Sequence, residues 1–356
     1  MVSMSIPTVN DLAASARSTR WVLASRPSGW PTEDDVRQET VELPELSDGE
    51  IRVVNEAISV DPYMRGRMND GPSYVPPFEL GEPMDGAAVG VVVASRSEDV
   101  PEGTRVLHGQ GWRDVAQLSA AKTQKLPDLR DTEGPLAASK FLGIAGMPGF
   151  TAWLGLTRIA AMQEGDTVFV SGAAGTVGSA VGQIARLKGA ARVIGSAGGP
   201  EKNRIVTERY GFDACLDYKR GDVMGQLGEA APNGIDVYFD NVGGDHLEAA
   251  IQHFNDDGRA ALCGAISQYN DDQPAPGPRN MGMLVTKRLM LQGFIQGFYT
   301  EAMGDFLAEM GPWLAAGEIV ADETVEDGID QAFDAFLGMM QGRNVGKMAV
   351  RTAVAD

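Results

Sequence analysis

Three glycines, Gly172, Gly175 and Gly178, stand three residues apart directly after the apolar run Val168–Val170. Val177, Val181, Ile184 and Leu187 then fall near one face of a helix. This is the strand, turn and helix context that a dinucleotide-binding turn requires. Glycine lets the backbone turn tightly and approach a pyrophosphate, and the helix start offers free N–H groups and a positive dipole end. A ligand-free turn has the same outline, so the next strand end matters. NAD sites place Asp or Glu there, about twenty residues on, to hold the ribose hydroxyls. Here the chain reads VIGSAGGPEKNR (193–204): small residues Ser196 to Gly199, then Glu201 beside Lys202 and Arg204. A missing carboxylate with cations close by favours the 2′-phosphate of NADP. Read alone, Lys202 is more often a solvated helix residue.

Metal chemistry finds little support. Zinc takes thiolate or imidazole ligands at tetrahedral spacing. The chain has two cysteines, Cys215 and Cys263, too few for a four-cysteine site, and three histidines, His108, His246 and His253. The segment GEPMDG (81–86) carries Glu82 and Asp85 without an imidazole and reads as a solvated loop. No metal is expected. The cysteines also give no disulfide framework, which fits a reducing cytoplasm.

These residues need a scaffold. The 356 residues suffice for two domains, and 43% of them are apolar, enough for a substantial core. Between Trp21 and about Leu126, short strand-like pieces (WVLAS, EIRVVNEAISV, GAAVGVVVAS, TRVLHG) alternate with Gly, Pro, Asp and Ser clusters. Beyond residue 138 apolar runs alternate with helical segments: TVFVS, ARVIGS, ACLDY, GIDVYFD, RAALCG and LMLQGF. That alternation predicts a parallel sheet covered on both faces, closed by a helix from Glu301 to about Ala316. The expected fold is α/β: a doubly wound Rossmann domain over 138–317 beside a mostly β domain, 1–137, completed by a returning segment, 318–356. Residues up to about 20 read as a loose polar leader, without the apolar run of a signal peptide. The longest uncharged stretch is too rich in Gly, Ser and Thr for a membrane span. With 49 acidic against 30 basic residues the net charge is −19, which disfavours nucleic acid and anionic membranes as partners.

Six segments occur in one order: SVDPYMRGRM (59–68), GMPGFTAW (146–153), AAGTVGSAVGQIARLKG (173–189), FDNVGG (239–244), LCGAISQYN (262–270) and GRNVGK (342–347). Together they resemble the zinc-free medium-chain dehydrogenase/reductase superfamily, and within it the family of prostaglandin reductases, leukotriene dehydrogenases, plant double-bond reductases and bacterial curcumin reductases. The resemblance implies a GroES-like N-terminal domain, a Rossmann domain and a cleft between them. It also implies NADPH-dependent reduction of a carbon–carbon double bond conjugated to a carbonyl. By position, Gly175, Thr176, Val177 and Gly178 would meet the pyrophosphate, and Lys202 and Tyr218 the adenosine phosphate end. Asn241 would line the cofactor near its ribose. Cys263, Gly264, Ala265 and Ile266 would run beside the nicotinamide, and Asn344 would reach the cofactor from the returning segment. Related alcohol dehydrogenases carry Gly-His-Glu where this chain has GEPMDG.

Hydride delivered to the β-carbon of an enone builds negative charge on the carbonyl oxygen, so a hydrogen-bond donor there lowers the barrier. Tyrosine suits this role because its ordinary pKa of about 10 keeps it protonated at neutral pH. The resemblance gives the role to Tyr269 in AISQYN, while Tyr63 in VDPYMR would face the same cleft as a donor or positioning group. Asp61 and Arg65 read as a local turn and a surface or interface charge. Phe294, Phe298, Tyr299, Met281 and Met283 offer an apolar substrate wall, a core or a subunit interface. The family implies a homodimer formed through the sheet edge, acting on small enones or alkenals. Two rivals stand beside this reading: a quinone reductase, and a non-catalytic NADPH-binding sensor or structural protein.

Overall fold

The structure, a computed structural model, describes residues 6–127, 138–273 and 275–354. It divides into two compact units: Met1–Leu142 with Glu323–Arg343 and Met348–Asp356, and Gly143–Asp322 with Asn344–Lys347. The divisions read from the sequence, after 137 and after 317, each lie slightly earlier, the first beside residues outside the described set. The returning segment, 318–356, is not wholly part of the first unit, because its residues 318–322 and 344–347 belong to the second.

The second unit is built on a six-stranded parallel sheet. Its strands are β1 (Thr167–Val170), β2 (Arg192–Ala197), β3 (Ala214–Asp217), β4 (Ile235–Asp240), β5 (Phe254–Leu262) and β6 (Met290–Gly293). Their spatial order is β3-β2-β1-β4-β5-β6, so the direction of winding reverses between β1 and β4. Open α/β sheets bind ligands beyond the carboxyl ends of the strands at that reversal. Val168, Phe169 and Val170 pair in register with Val237, Tyr238 and Phe239, and all six are fully buried. Burial on both faces explains the unbroken apolar runs.

Helix α1 (Thr176–Leu187) lays Ala180, Val181, Ile184 and Ala185 into one core with Phe150 and Trp153. Helix α2 (Gly244–His253) covers the opposite face, where Ala249 and Ala250 join Phe169, Tyr238 and Phe254. The last long helix of the unit, α3 (Met303–Ala315), agrees with the expected Glu301–Ala316. Phe306, Met310 and Leu314, one turn apart, bury its inner stripe.

In the first unit, strand Glu50–Ser59 pairs antiparallel with Ala88–Ser95, Val115–Ser119 and Lys347–Arg351, within a seven-stranded sheet. A separate ribbon joins Arg17–Leu23 to Val36–Glu42. The expected polar leader is structured where described. Thr8 and Asp11 form a reciprocal capping box that starts helix Val9–Ser15, and Val9 packs with Val54, Val115 and Ala353. Among the described residues no helix is long and apolar enough to cross a membrane.

Candidate functional site

The turn after β1 has the shape its glycines foretell. Gly172 adopts φ +64°, a left-handed conformation that costs glycine little. The Gly175 amide donates back to the Gly172 carbonyl (3.0 Å), and the Ala173 amide to Ser196 at the end of β2 (2.9 Å). A Cβ on Gly178 would run into the Gly172 carbonyl, so only glycine lets α1 start so close to the turn. Gly175 is the N-cap of α1, yet no side chain caps the helix and its first turn carries no acid. A helix start of this kind leaves its N–H groups and positive dipole end available to an anion. Thr176, Val177 and Gly178 form that first turn. The residues present therefore fit a pyrophosphate.

Across the reversal, β4 ends in a buried carboxylate that builds the neighbouring turn. Asp240 Oδ1 accepts hydrogen bonds from Tyr238 (2.6 Å), Ser171 Oγ (3.0 Å) and the amides of Val242 (2.9 Å) and Gly243 (2.8 Å). Asn241 is locked by its own amide on Ser171 Oγ (2.8 Å) and by Nδ2 on the Ser171 carbonyl (2.7 Å). That side chain thus bridges the ends of β1 and β4. The carbonyls of this turn then seat the loop after β5. Cys263 and Gly264 donate to the Asp240 carbonyl (2.8 and 3.1 Å), Ile266 to that of Asn241 (3.2 Å), and Ser267 Oγ to that of Val242 (2.6 Å).

Tyr269 closes this loop. Its phenol oxygen accepts the Ala265 amide (3.3 Å) and lies 2.9 Å from where a Gly264 Cβ would stand. Glycine at 264 is what lets the phenol lie against the loop. Burial raises the Tyr269 pKa, helped by Cys263 and Asp240 and opposed by the Ala265 amide, so the group holds its proton. Cys263 is no nucleophile: burial pushes its thiol up to about 12. Sequence reasoning missed Asp240 and Ser171, because nothing in FDNVGG marks the aspartate as the post on which the turn is built.

At the far end of the sheet, Lys202 lies on Pro200–Arg204 after β2, and its ammonium donates to the Asn344 carbonyl (2.5 Å). Asn344 spends Nδ2 on the Gly346 carbonyl (2.7 Å), and the Gly346 amide donates to Ala174 in the glycine turn (2.8 Å). Tyr218, half-exposed after β3, stands edge-on to the buried His246 ring at 5.9 Å. His246 in turn meets Ser196 Oγ (2.8 Å). All twelve cofactor candidates therefore gather within one unit, at the carboxyl ends of its strands and on the segment that rejoins it.

Tyr63 lies in the other unit, at the start of the short helix Tyr63–Arg67. Burial foremost, then the charge of Asp61, raises its pKa well above the ordinary value. Asp61 stands at a local turn, as expected: its carbonyl accepts the Met64 amide (3.1 Å), and its buried carboxylate accepts a short hydrogen bond from Ser59. Two readings of nearby residues need correcting. Arg65 is not a surface charge: it is buried and donates to Gly29 O and Asn69 Oδ1, both at 2.7 Å. Asp85 is not a merely solvated loop residue, since it pairs with Arg67, whose guanidinium also lies 4.1 Å over the Phe78 ring.

The apolar wall does not form as one surface. Phe294 is buried against Phe239, with ring centroids 6.1 Å apart, whereas Phe298 and Met281 are exposed. His253 is held by the Met224 carbonyl (2.9 Å). Among the described residues no three His, Cys, Asp or Glu side chains cluster as metal ligands.

Comparison with known proteins agrees with this architecture. Residues 19–126 match the family described as the N-terminal domain of oxidoreductase, and residues 176–310 match the one described as zinc-binding dehydrogenase. The NADPH-dependent curcumin reductase of Escherichia coli (strain K12) is 42% identical over 345 residues, covering 96% of this chain and 98% of that protein. The NADP(+)-dependent 2-alkenal reductase of Nicotiana tabacum is 38% identical, covering 95% and 98%. A crystal structure of CurA from Vibrio vulnificus in complex with NADPH superposes with TM-score 0.88 at 42% identity, covering 95% of this chain and all of that one (100%). The chain belongs to the medium-chain dehydrogenase/reductase family, in the branch that holds the curcumin, prostaglandin and 2-alkenal reductases.

Proposed function

We propose that this protein is an NADPH-dependent reductase of carbon–carbon double bonds conjugated to a carbonyl, acting on enones, alkenals or curcumin-like molecules. The observation that carries the reading is the end-to-end likeness to curcumin and 2-alkenal reductases. The glycine turn and the Tyr269 loop on either side of the β1/β4 reversal support it. Bound NADPH supplies the hydride.

The chain's own residues do the rest. The free amides of Thr176 to Gly178, with Gly175 opening the way to them, hold the pyrophosphate, Lys202 and Tyr218 the adenosine phosphate end, and Asn241 and Asn344 the intervening sugar. The loop from Cys263 to Ile266 forms a backbone ledge for the nicotinamide. Tyr269 donates a hydrogen bond to the substrate carbonyl oxygen as charge gathers there, and its raised pKa keeps that proton in place at neutral pH. For Tyr63, in the first unit, the likeness to these reductases supports a substrate-positioning or donor role. In this reading Gly143–Asp322 is the nucleotide-binding domain and the GroES-like unit is the substrate-binding one.

NADPH consumption with a panel of 2-alkenals, enones, curcumin and quinones tests the activity. A saturated product with its carbonyl intact is expected. An alcohol with the double bond intact overturns the reading, faster turnover of quinones than of every enone moves it to quinone reduction, and tight NADPH binding without turnover moves it to a sensor.

We also propose a homodimer joined along β6. This strand lies at the sheet edge, where backbone groups await a partner, and Met281, Val285 and Met290 are exposed around it. A cytoplasmic location rests on the two thiols, both free, and cell fractionation tests it.

A further inference from the structure

Lys219 has no role in the reading above, yet its surroundings single it out. It lies in the short turn Tyr218–Arg220 that follows β3. Asp217 Oδ1 accepts the amides of both Gly199 (2.8 Å) and Lys219 (3.1 Å). The carboxylate thereby fastens the turn after β3 to the end of β2 through backbone alone and leaves the lysine ammonium unused. Gly198 sits beneath this junction. A Cβ there would stand 2.8 Å from the Tyr218 hydroxyl and 2.9 Å from Lys219 Cε. The Lys219 side chain therefore lies across the spot where an NAD site would carry its ribose-binding acid.

The charges are also unusual. Lys219 is near enough to Lys202 for its charge to help burial lower the Lys202 pKa. In a chain with 49 Asp and Glu, Lys140 and Lys188 each meet a glutamate at 2.8 Å. Lys219, by contrast, makes no ion pair and no side-chain hydrogen bond among the described residues. Lys202 directs its ammonium at the Asn344 carbonyl, so it brings charge to this corner while one of its protons is committed elsewhere. The Lys219 side chain and the Tyr218 hydroxyl side by side over Gly198, with a second lysine within electrostatic reach, match a dianion rather than a monoanion.

We propose that Lys219 is a second cation of the 2′-phosphate subsite, acting with Lys202 and the Tyr218 hydroxyl to select the phosphorylated nucleotide. This rests on the reading of the second unit as an NADPH site. Titration calorimetry of the full chain with adenosine 2′,5′-bisphosphate and with adenosine 5′-monophosphate tests it without turnover. The unaltered protein should prefer the bisphosphate. Lys219→Gln should weaken the bisphosphate about tenfold, the loss of one charge-assisted contact, and leave the monophosphate unchanged. Lys219→Arg should retain most of the affinity, and Lys219→Gln combined with Lys202→Gln should lose more than either alone. A preference unaltered by Lys219→Gln overturns the proposal. No preference in the unaltered protein overturns the nucleotide reading beneath it.

Discussion

Tyr269 carries the heaviest functional claim of any single residue, and its neighbours say how to test it. Its hydroxyl takes a hydrogen bond from Ala265 but keeps its own proton to give. Tyr269→Phe should lower kcat by about a hundredfold, the lower end of what a positioned acid contributes, with the KM for NADPH within about twofold. Unchanged turnover removes the phenol from the chemistry. Because the Tyr269 pKa is raised, loss of the donor should not begin below about pH 10, the ordinary tyrosine value. A rate that falls between pH 8 and 9 with this residue's titration would contradict its environment. His108 makes a different residue-scale prediction. The Gln110 amide donates to Nδ1 (3.1 Å), which fixes the proton on Nε2 facing Asn55 Oδ1 (2.9 Å). Burial depresses its pKa from 6.5 to about 4. The unfolded chain therefore binds this proton first, and the neutral folded form loses stability as pH falls from 6.5 towards 4. The drop amounts to about 3 kcal/mol. Urea unfolding of the native chain and His108→Gln across that window should show the native curve falling more steeply, and parallel curves would refute it.

The elements decide where those residues meet. Asp240 is the clearest case: one buried carboxylate oxygen gathers two hydroxyls and two amides, and the turn it makes receives the loop bearing Tyr269. Asp240→Ala should cost about 3 kcal/mol or more, since each stranded buried donor costs about 1–3 kcal/mol. Thermal unfolding measures it, and a change below about 1 kcal/mol would mean that the turn holds without its post. The sheet was legible in advance because β1 and β4 are buried on both faces and so read as unbroken apolar runs. Strand Val36–Glu42 was not legible: its outward side chains are charged and polar, as in VRQETVE, so nothing apolar repeats strongly enough to mark it. Helix Val9–Ser15 was hidden for a related reason, being short and polar with only Val9 buried. The glycine turn, by contrast, announced itself, since its spacing follows from backbone sterics. Lys219 could not be found in the same way. Its neighbourhood with Gly198 and Lys202 arises only when the ends of β2 and β3 come side by side.

At the scale of the whole molecule, the proposed dimer depends on an edge that the single chain leaves open. Met290→Glu should place like charges on facing copies of β6 and shift the protein to monomer, as read by light scattering after size exclusion. A native chain that is already monomeric would refute the pairing. The two-unit organisation was foreseen from the change in sequence texture near residue 138, but the brief crossing at Asn344–Lys347 was not, because four residues carry no periodicity of their own. Yet those residues tie Gly346 to Ala174 and the Asn344 carbonyl to Lys202. A ribosome translates the glycine turn long before it translates Gly346. A nascent chain arrested after residue 322 already contains every strand of the parallel sheet and still lacks this clasp on its phosphate turn. Nucleotide capture should accordingly wait until residues 344–347 have joined the sheet that precedes them.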